Sequence, residues 1–319
     1  MDGRISLFQR LDAAQRTLSR PIGCAGVALH SGAPVEMRLL PGELNSGIVF
    51  VRTDLPAAQA AIPALWNNVV DTTLCTVIAN DRGARVATIE HLMAALHGCG
   101  VDNAVIEVDG PEVPILDGSS DPLVGLIGSA GTTAQPGSRR AIRVLHPVSV
   151  GDAGRGARLT PAPASTFTME LDFPDRPIAP QSGTVQLDDG SFRRHVAPAR
   201  TFGFLEEVEA LRRHGFARGG SLDNAIVLDG ARVLNEGGLR FPDELVRHKL
   251  LDAIGDLYLA GMPIIGQFHG WRSGHAVNNA LLHALFADDT AWVFDTPLPA
   301  PGAIAGYRAG IETGLTAGA

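Results

Sequence analysis

The stretch "DELVRHKLLDAIGD", residues 243–256, decides how the second half of this chain folds. Extended to 242–260, it places Leu245, Val246, Leu250, Leu251, Ile254, Leu257, Tyr258 and Leu259 around most of a helical circumference. A helix that is apolar nearly all round is buried, so the pattern predicts a core helix. Through that apolar surface runs a polar stripe: His248, Asp252 and Asp256 follow at i, i+4 and i+8 on one face. Buried charges are costly unless paired or bound to a metal. The stripe is therefore either a closed ion-pair network or the wall of a site. Lys249 flanks it and is the sole lysine; the other 25 of the 26 basic side chains are arginine.

Working outward, the segments alternate between strand and helix patterns. Strands are expected at 34–40, 47–52 and 103–110, with a hairpin over 72–89 turning at Asn80, Asp81 and Gly83. "EHLMAALHG" (90–98) reads as a short helix stopped near Gly98, and 121–131 as another. The second half predicts strands at 141–149, 157–162, 166–173, near 225–228 and 231–234, and at 263–269, with helices at about 204–214 and at 275–287. "GTTAQPGSRR" (131–140) has the composition of a linker. The division expected is an N-terminal extension (1–15), a first α+β domain with the hairpin insert (16–130), the linker, a second α+β domain with an insert at about 201–232 (141–297), and a tail (298–319). Strands and helices segregated in both halves give the α+β class: two similar domains, each a two-layer β-sheet/α-helix sandwich.

Composition narrows the function. A net charge of −8 offers no basic surface for nucleic acid, and an aromatic content of 5% offers no stacking platform. Cys24, Cys75 and Cys99 are widely spaced and form no CxxC pair, which fits a reducing cytoplasm. No apolar run reaches transmembrane length, and the first 20 residues lack the apolar core of a signal peptide.

Several residues can carry chemistry. In "ATIEHLMAALHG" Glu90 directly precedes His91, and His97 lies six residues on, turned away. Alone, the pair reads as a polar residue beside a packed histidine. Joined to His248 and Asp252, His91 completes a two-histidine, one-carboxylate set with a position left for water, the pattern of a catalytic zinc site. Glu90 is then placed to take a proton from that water. His275, opening a helix in "WRSGHAVNNALLHALF", is a capping-region histidine or a general acid. Thr201, amid Phe202 and Phe204, is a core residue or a donor to an oxyanion.

"TIEHLMAALHGCGVDNAVIEVDGPEVPILDGS", "ARTFGF", "GGSLDNAIVLD", "RVLNEGGLRFPDELVRHKLLDAIGDLYLAG" and "SGHAVNN" closely resemble the UDP-3-O-acyl-N-acetylglucosamine deacetylase family, zinc amidases of lipid A biosynthesis in Gram-negative bacteria. The resemblance runs in order from about residue 16 to residue 287. It implies two domains of similar topology with the active site between them, each carrying an insert, the second forming a passage for an acyl chain. It further implies His91, His248 and Asp252 as Zn2+ ligands, Glu90 as base, His275 as the catalytic histidine backed by Asp256, and Thr201 as the oxyanion donor. Lys249 and Phe202 fall on the substrate's diphosphate and sugar, Leu74 and Cys75 among the substrate-binding residues, and Leu222, Ala225 and Val227 along the acyl passage. A cytoplasmic monomer acting on UDP-3-O-acyl-N-acetylglucosamine, with no nucleic acid and no membrane span, is the resulting expectation. Two alternatives stand beside it. An amidase for another N-acyl sugar would need no apolar lobe, and a silent binding protein would be free to lose the polar constellation.

Overall fold

The computed structural model describes residues 14–188 and 190–295. The N-terminal extension up to residue 13 and the tail at 298–319 lie outside the described residues. Seven helices are described: α1 (Ala57–Ala60), α2 (Glu90–Gly98), α3 (Asp121–Ala130), α4 (Ser191–His195), α5 (Leu205–Arg213), α6 (Glu244–Tyr258) and α7 (His275–Ala287). The α+β class is borne out. A five-stranded sheet from the first half runs in the order Ile22–Val27, Pro34–Pro41, Ala104–Val108, Ile48–Arg52, Ala61–Pro63. A seven-stranded sheet from the second half is built around Ile264–Trp271, which pairs in parallel with both Ala141–Val144 and Ser165–Leu171.

The buried helix expected at 242–260 is α6. Thirteen of its 15 residues are buried, including His248, Asp252 and Asp256. It lies beside α2 in the same sense, residue by residue. His91 sits by Asp252 (Nε2–Oδ1 3.7 Å), and the His97 ring stacks on Tyr258 with centroids 4.4 Å apart. Between these contacts lies Gly255. A methyl group there would run into the Glu90 carbonyl oxygen and sit 3.1 Å from the Ala94 nitrogen, so only glycine lets the backbones come this close. The Tyr258 hydroxyl donates to the Val101 carbonyl at 2.7 Å and closes the far end. α2 therefore reaches α6 with its first turn at the polar stripe.

The segment 131–140 differs from the linker expectation in its local structure. Thr132–Ser138 is a strand paired antiparallel with Ala14–Leu18, and the Arg16 guanidinium holds the Thr132 hydroxyl. β-Branched Thr132 and Thr133 suit a strand, but the partner lies more than 100 residues away and left no local signal. The expected stop at Gly98 also shifts: Gly98 is the last helical residue, and Gly100, with φ +68°, makes the left-handed turn.

Candidate metal centre and active site

Three buried side chains converge where α2 meets α6. His91 Nε2, His248 Nε2 and Asp252 Oδ1 have ligand atoms within 4.8 Å of one another. Asp252 Oδ1 lies 3.3 Å from His248 Nε2 and 3.7 Å from His91 Nε2. Donors on a tetrahedral ion with bonds of ~2.1 Å stand about 3.4 Å apart, so these separations suit one shared ion. Asp252 Oδ1 is also buried without a hydrogen-bond partner, a vacancy that a buried carboxylate oxygen rarely shows. His248 Nδ1 faces the Ala199 carbonyl at 3.1 Å, which places the proton on Nδ1 and leaves the Nε2 lone pair aimed inward.

The electrostatics suit a cation. Burial, followed by the His248 neighbour, pushes the His91 imidazole down to about 3; burial also lowers His248 against the opposing pull of Asp252. Both rings are thus neutral, the form that ligates metal. Burial works against ionisation of Asp252, but His248 and Lys249 outweigh it and hold the carboxyl well below the usual range. Lys249 Nζ donates to Asp252 Oδ2 at 2.6 Å. Burial opposes its charge, yet the Asp252 carboxylate raises its pKa on balance.

Glu90 and His275 complete the cluster. Glu90 opens α2, and burial above all raises its carboxyl to about 7, with Asp256 and Asp252 adding to the effect and His275 opposing it. Two residues earlier, buried Thr88 holds φ +61°, a conformation costing a β-branched residue ~1–3 kcal/mol. Its hydroxyl is caught by buried Glu112 at 2.9 Å, so the turn that delivers Glu90 is strained and tied down. His275, the first residue of α7, points Nδ1 at Asp256 Oδ2 (2.9 Å) and Nε2 at Glu90 Oε1 (3.7 Å). Burial disfavours its charge, but Asp256 and Glu90 prevail and raise it to about 9, an imidazolium at neutral pH.

The loop before the second insert is held just as firmly. Buried Glu244 at the start of α6 accepts from Arg200 Nε (2.9 Å) and Arg200 N (3.1 Å). Thr201 N donates to the Gly118 carbonyl at 2.8 Å, and the Thr201 carbonyl accepts from Ile226 at 2.7 Å. Phe202 follows, its ring 5.6 Å from Lys249 Nζ and 6.1 Å from the His248 ring. Beside them opens a cavity of about 320 Å³ whose basic lining is Lys249, Arg155, Arg176 and Arg272. Asn235 organises the insert, donating to the Leu222 and Ala225 carbonyls and accepting from Val227. Leu222 is exposed, Ala225 and Val227 half-buried, Leu74 half-buried, and Cys75 buried with its thiol pushed up to about 12 by burial and then by Glu90.

Sequence reasoning passed over three residues. Thr76 donates its hydroxyl to Asp256 Oδ1 (2.6 Å) and its backbone N–H to Glu90 Oε2 (3.0 Å). Asn278 Nδ2 donates to Asp256 Oδ2 (2.9 Å), and Ser273 donates to Asn278 Oδ1 (2.6 Å). Asn278 was within reach, since it lies three residues after His275 on the same helix. Thr76 carried no signal, being 180 residues from Asp256.

The profile of the LpxC family, UDP-3-O-acyl N-acetylglycosamine deacetylase, matches residues 15–287. This chain belongs to that family. It is 50% identical over 278 residues to the UDP-3-O-acyl-N-acetylglucosamine deacetylase of Phenylobacterium zucineum, covering 87% of this chain and 95% of the relative. It is 48% identical over 280 residues to the deacetylase of the same name from Shewanella baltica, covering 87% of this chain and 91% of the relative. The matched span takes in α2, α6 and α7, and so every residue of the cluster. Among the described residues no helix is long and apolar enough to cross a membrane.

Proposed function

We propose that this protein hydrolyses the N-acetyl group of UDP-3-O-acyl-N-acetylglucosamine, releasing acetate and the free 2-amine in lipid A biosynthesis. The observation that carries the reading is the convergence of His91 from α2 with His248 and Asp252 from α6, beside Glu90 and His275, in a member of this family. His91, His248 and Asp252 are the residues that hold the metal, and zinc is the ion this donor set suits. Bound there, zinc supplies a Lewis acid that polarises the acetamide carbonyl and lowers the pKa of a water.

The chain's own groups do the rest. Glu90 accepts a proton from the attacking water as the new C–O bond forms at the acetyl carbon. The Thr201 hydroxyl, which has no protein partner among the described residues, is the donor to the developing oxyanion. As the C–N bond breaks, His275 gives its Nε2 proton to the leaving amine, and Asp256 holds the ring that does so. Lys249 and the arginine-lined cavity receive the diphosphate, with Phe202 against the sugar. The insert carrying Leu222, Ala225 and Val227, together with Leu74 and Cys75, borders the acyl chain. Both halves already contribute to one site, so a monomer suffices, and a cytoplasmic location supplies the nucleotide-activated sugar.

Acetate release from UDP-3-O-(3-hydroxyacyl)-N-acetylglucosamine, by metal-stripped protein before and after one equivalent of zinc, tests the proposal. Activity that returns with zinc and is missing in His248→Ala is expected. No turnover with zinc bound would move the assignment to another N-acyl substrate.

A further inference from the structure

The Asp256 carboxylate accepts three hydrogen bonds, with donors on both oxygens. Oδ1 accepts from the Thr76 hydroxyl at 2.6 Å, and Oδ2 accepts from His275 Nδ1 and Asn278 Nδ2, each at 2.9 Å. Thr76 is 2% exposed and Asn278 0%. The Asn278 amide has one chemically sensible orientation: its N–H faces the carboxylate, and its oxygen takes the Ser273 hydroxyl at 2.6 Å. The carboxylate torsion of an aspartate is otherwise soft. With donors on both oxygens from two separate chain segments, it is pinned.

We propose that Thr76 and Asn278 are positioning residues that clamp Asp256, so that the His275 ring keeps one orientation, with Nδ1–H on Asp256 and Nε2 turned toward Glu90 and the reacting amide. Thr76 extends the clamp to the base. Its backbone N–H holds Glu90 Oε2 at 3.0 Å while its hydroxyl holds Asp256, so one residue of the first half registers the proton acceptor against the proton donor. Ser273 extends it in the other direction, fixing the amide of Asn278 just before α7 begins. An acceptor on Nδ1 also sets which ring nitrogen carries the mobile proton. The two nitrogens face groups from different elements, Asp256 on α6 and Glu90 on α2, so a turned ring would lose both contacts at once.

The catalytic part of this inference rests on the deacetylase reading; the geometric part does not. The test uses zinc-loaded Thr76→Val and Thr76→Ser. Valine keeps the shape and the backbone N–H to Glu90 but removes the hydroxyl, whereas serine keeps the hydroxyl. Expected for Thr76→Val is a kcat lower by about 10- to 100-fold, the usual range for an outer partner that orients a working group, with KM and bound metal unchanged. Thr76→Ser should recover most of that loss. A low-field imidazole N–H proton resonance, assigned by its absence in His275→Gln, should persist in the serine variant and broaden or vanish in the valine variant. Unchanged kcat and resonance in Thr76→Val would overturn the clamp, as would a serine variant as impaired as the valine one, which would indicate packing alone. If Thr76→Val does not fold, Asn278→Ala is read the same way, with loss of the resonance expected and its persistence overturning the proposal. A wild-type protein that releases no acetate would sink the deacetylase reading, while the resonance comparison would still decide the clamp.

Discussion

Lys249 explains itself through what surrounds it. Its ammonium sits 2.6 Å from Asp252 and 5.6 Å from the Phe202 ring, and its side chain keeps 23% of its surface exposed toward the arginine-lined cavity. A compact point charge fits between a carboxylate and a ring, where a planar guanidinium needs more room. Lys249→Arg should lower kcat/KM by about 10- to 100-fold, the equivalent of one charge-assisted hydrogen bond, with one metal per chain retained. Turnover assays with metal analysis on the same sample check this, and wild-type kcat/KM would refute it. His97 supplies a prediction of another kind. Burial, and then Arg139, lower it from 6.5 to about 3, and its Nδ1 is buried without a partner. Well above pH 6.5 the ring is neutral whether folded or unfolded, so it contributes no slope there. Below 6.5 the unfolded chain takes a proton that the folded protein refuses, and stability falls until pH reaches about 3. Between pH 7 and pH 5 this one group should remove about 2 kcal/mol. Urea unfolding at the two pH values should therefore show a smaller loss for His97→Gln than for the wild type; equal losses would mean that the ring is solvated.

At the scale of elements, the contact between α2 and α6 depends on Gly255. A glycine inside a helix costs about 1 kcal/mol relative to alanine, so its presence calls for a reason, and the Glu90 carbonyl oxygen is that reason. The atom in the way is backbone and cannot swing aside. Overpacking at ~1–3 kcal/mol should therefore exceed the propensity gain. Gly255→Ala should lower the melting temperature and weaken metal binding together, because the same shift moves His91 away from Asp252. A melting temperature raised by the substitution would show that propensity wins. The three long helices of the second half were legible in the sequence because apolar periodicity is a local property. Strands Ala14–Leu18, Ile22–Val27 and Gln181–Gln186 were not, because each is short or alternately half-exposed and is completed by a partner elsewhere in the chain. The candidate site divides in the same way. His248, Asp252 and Asp256 could be read from helical spacing and His91 from the donor set it completes with them, whereas the choice between cap and catalyst for His275 came from resemblance. Thr76 became visible only once the chain brought it to Asp256.

At the scale of the whole molecule, the candidate metal-binding set is shared between halves. His91 belongs to the half built on the five-stranded sheet, and His248 and Asp252 to the half built on the seven-stranded one. Without an ion, Asp252 Oδ1 is a buried acceptor with nothing to accept from, and two neutral imidazole nitrogens face it. An ion would satisfy all three donors and hold the halves together where Gly255 lets them touch. Binding to the folded chain alone stabilises by about 2.7 kcal/mol when free ligand is 100-fold above Kd. For a chain of 319 residues, each kcal/mol shifts the melting temperature by about 1.5 °C. Zinc restored to stripped protein at that excess should thus raise the melting temperature by about 4 °C. His91→Ala and His248→Ala should each lose most of the rise, although they lie in different halves. Calorimetry of stripped and reloaded protein checks this without any substrate. A rise that survives in His91→Ala would mean that the ion is held by the second half alone and does not bind the two together.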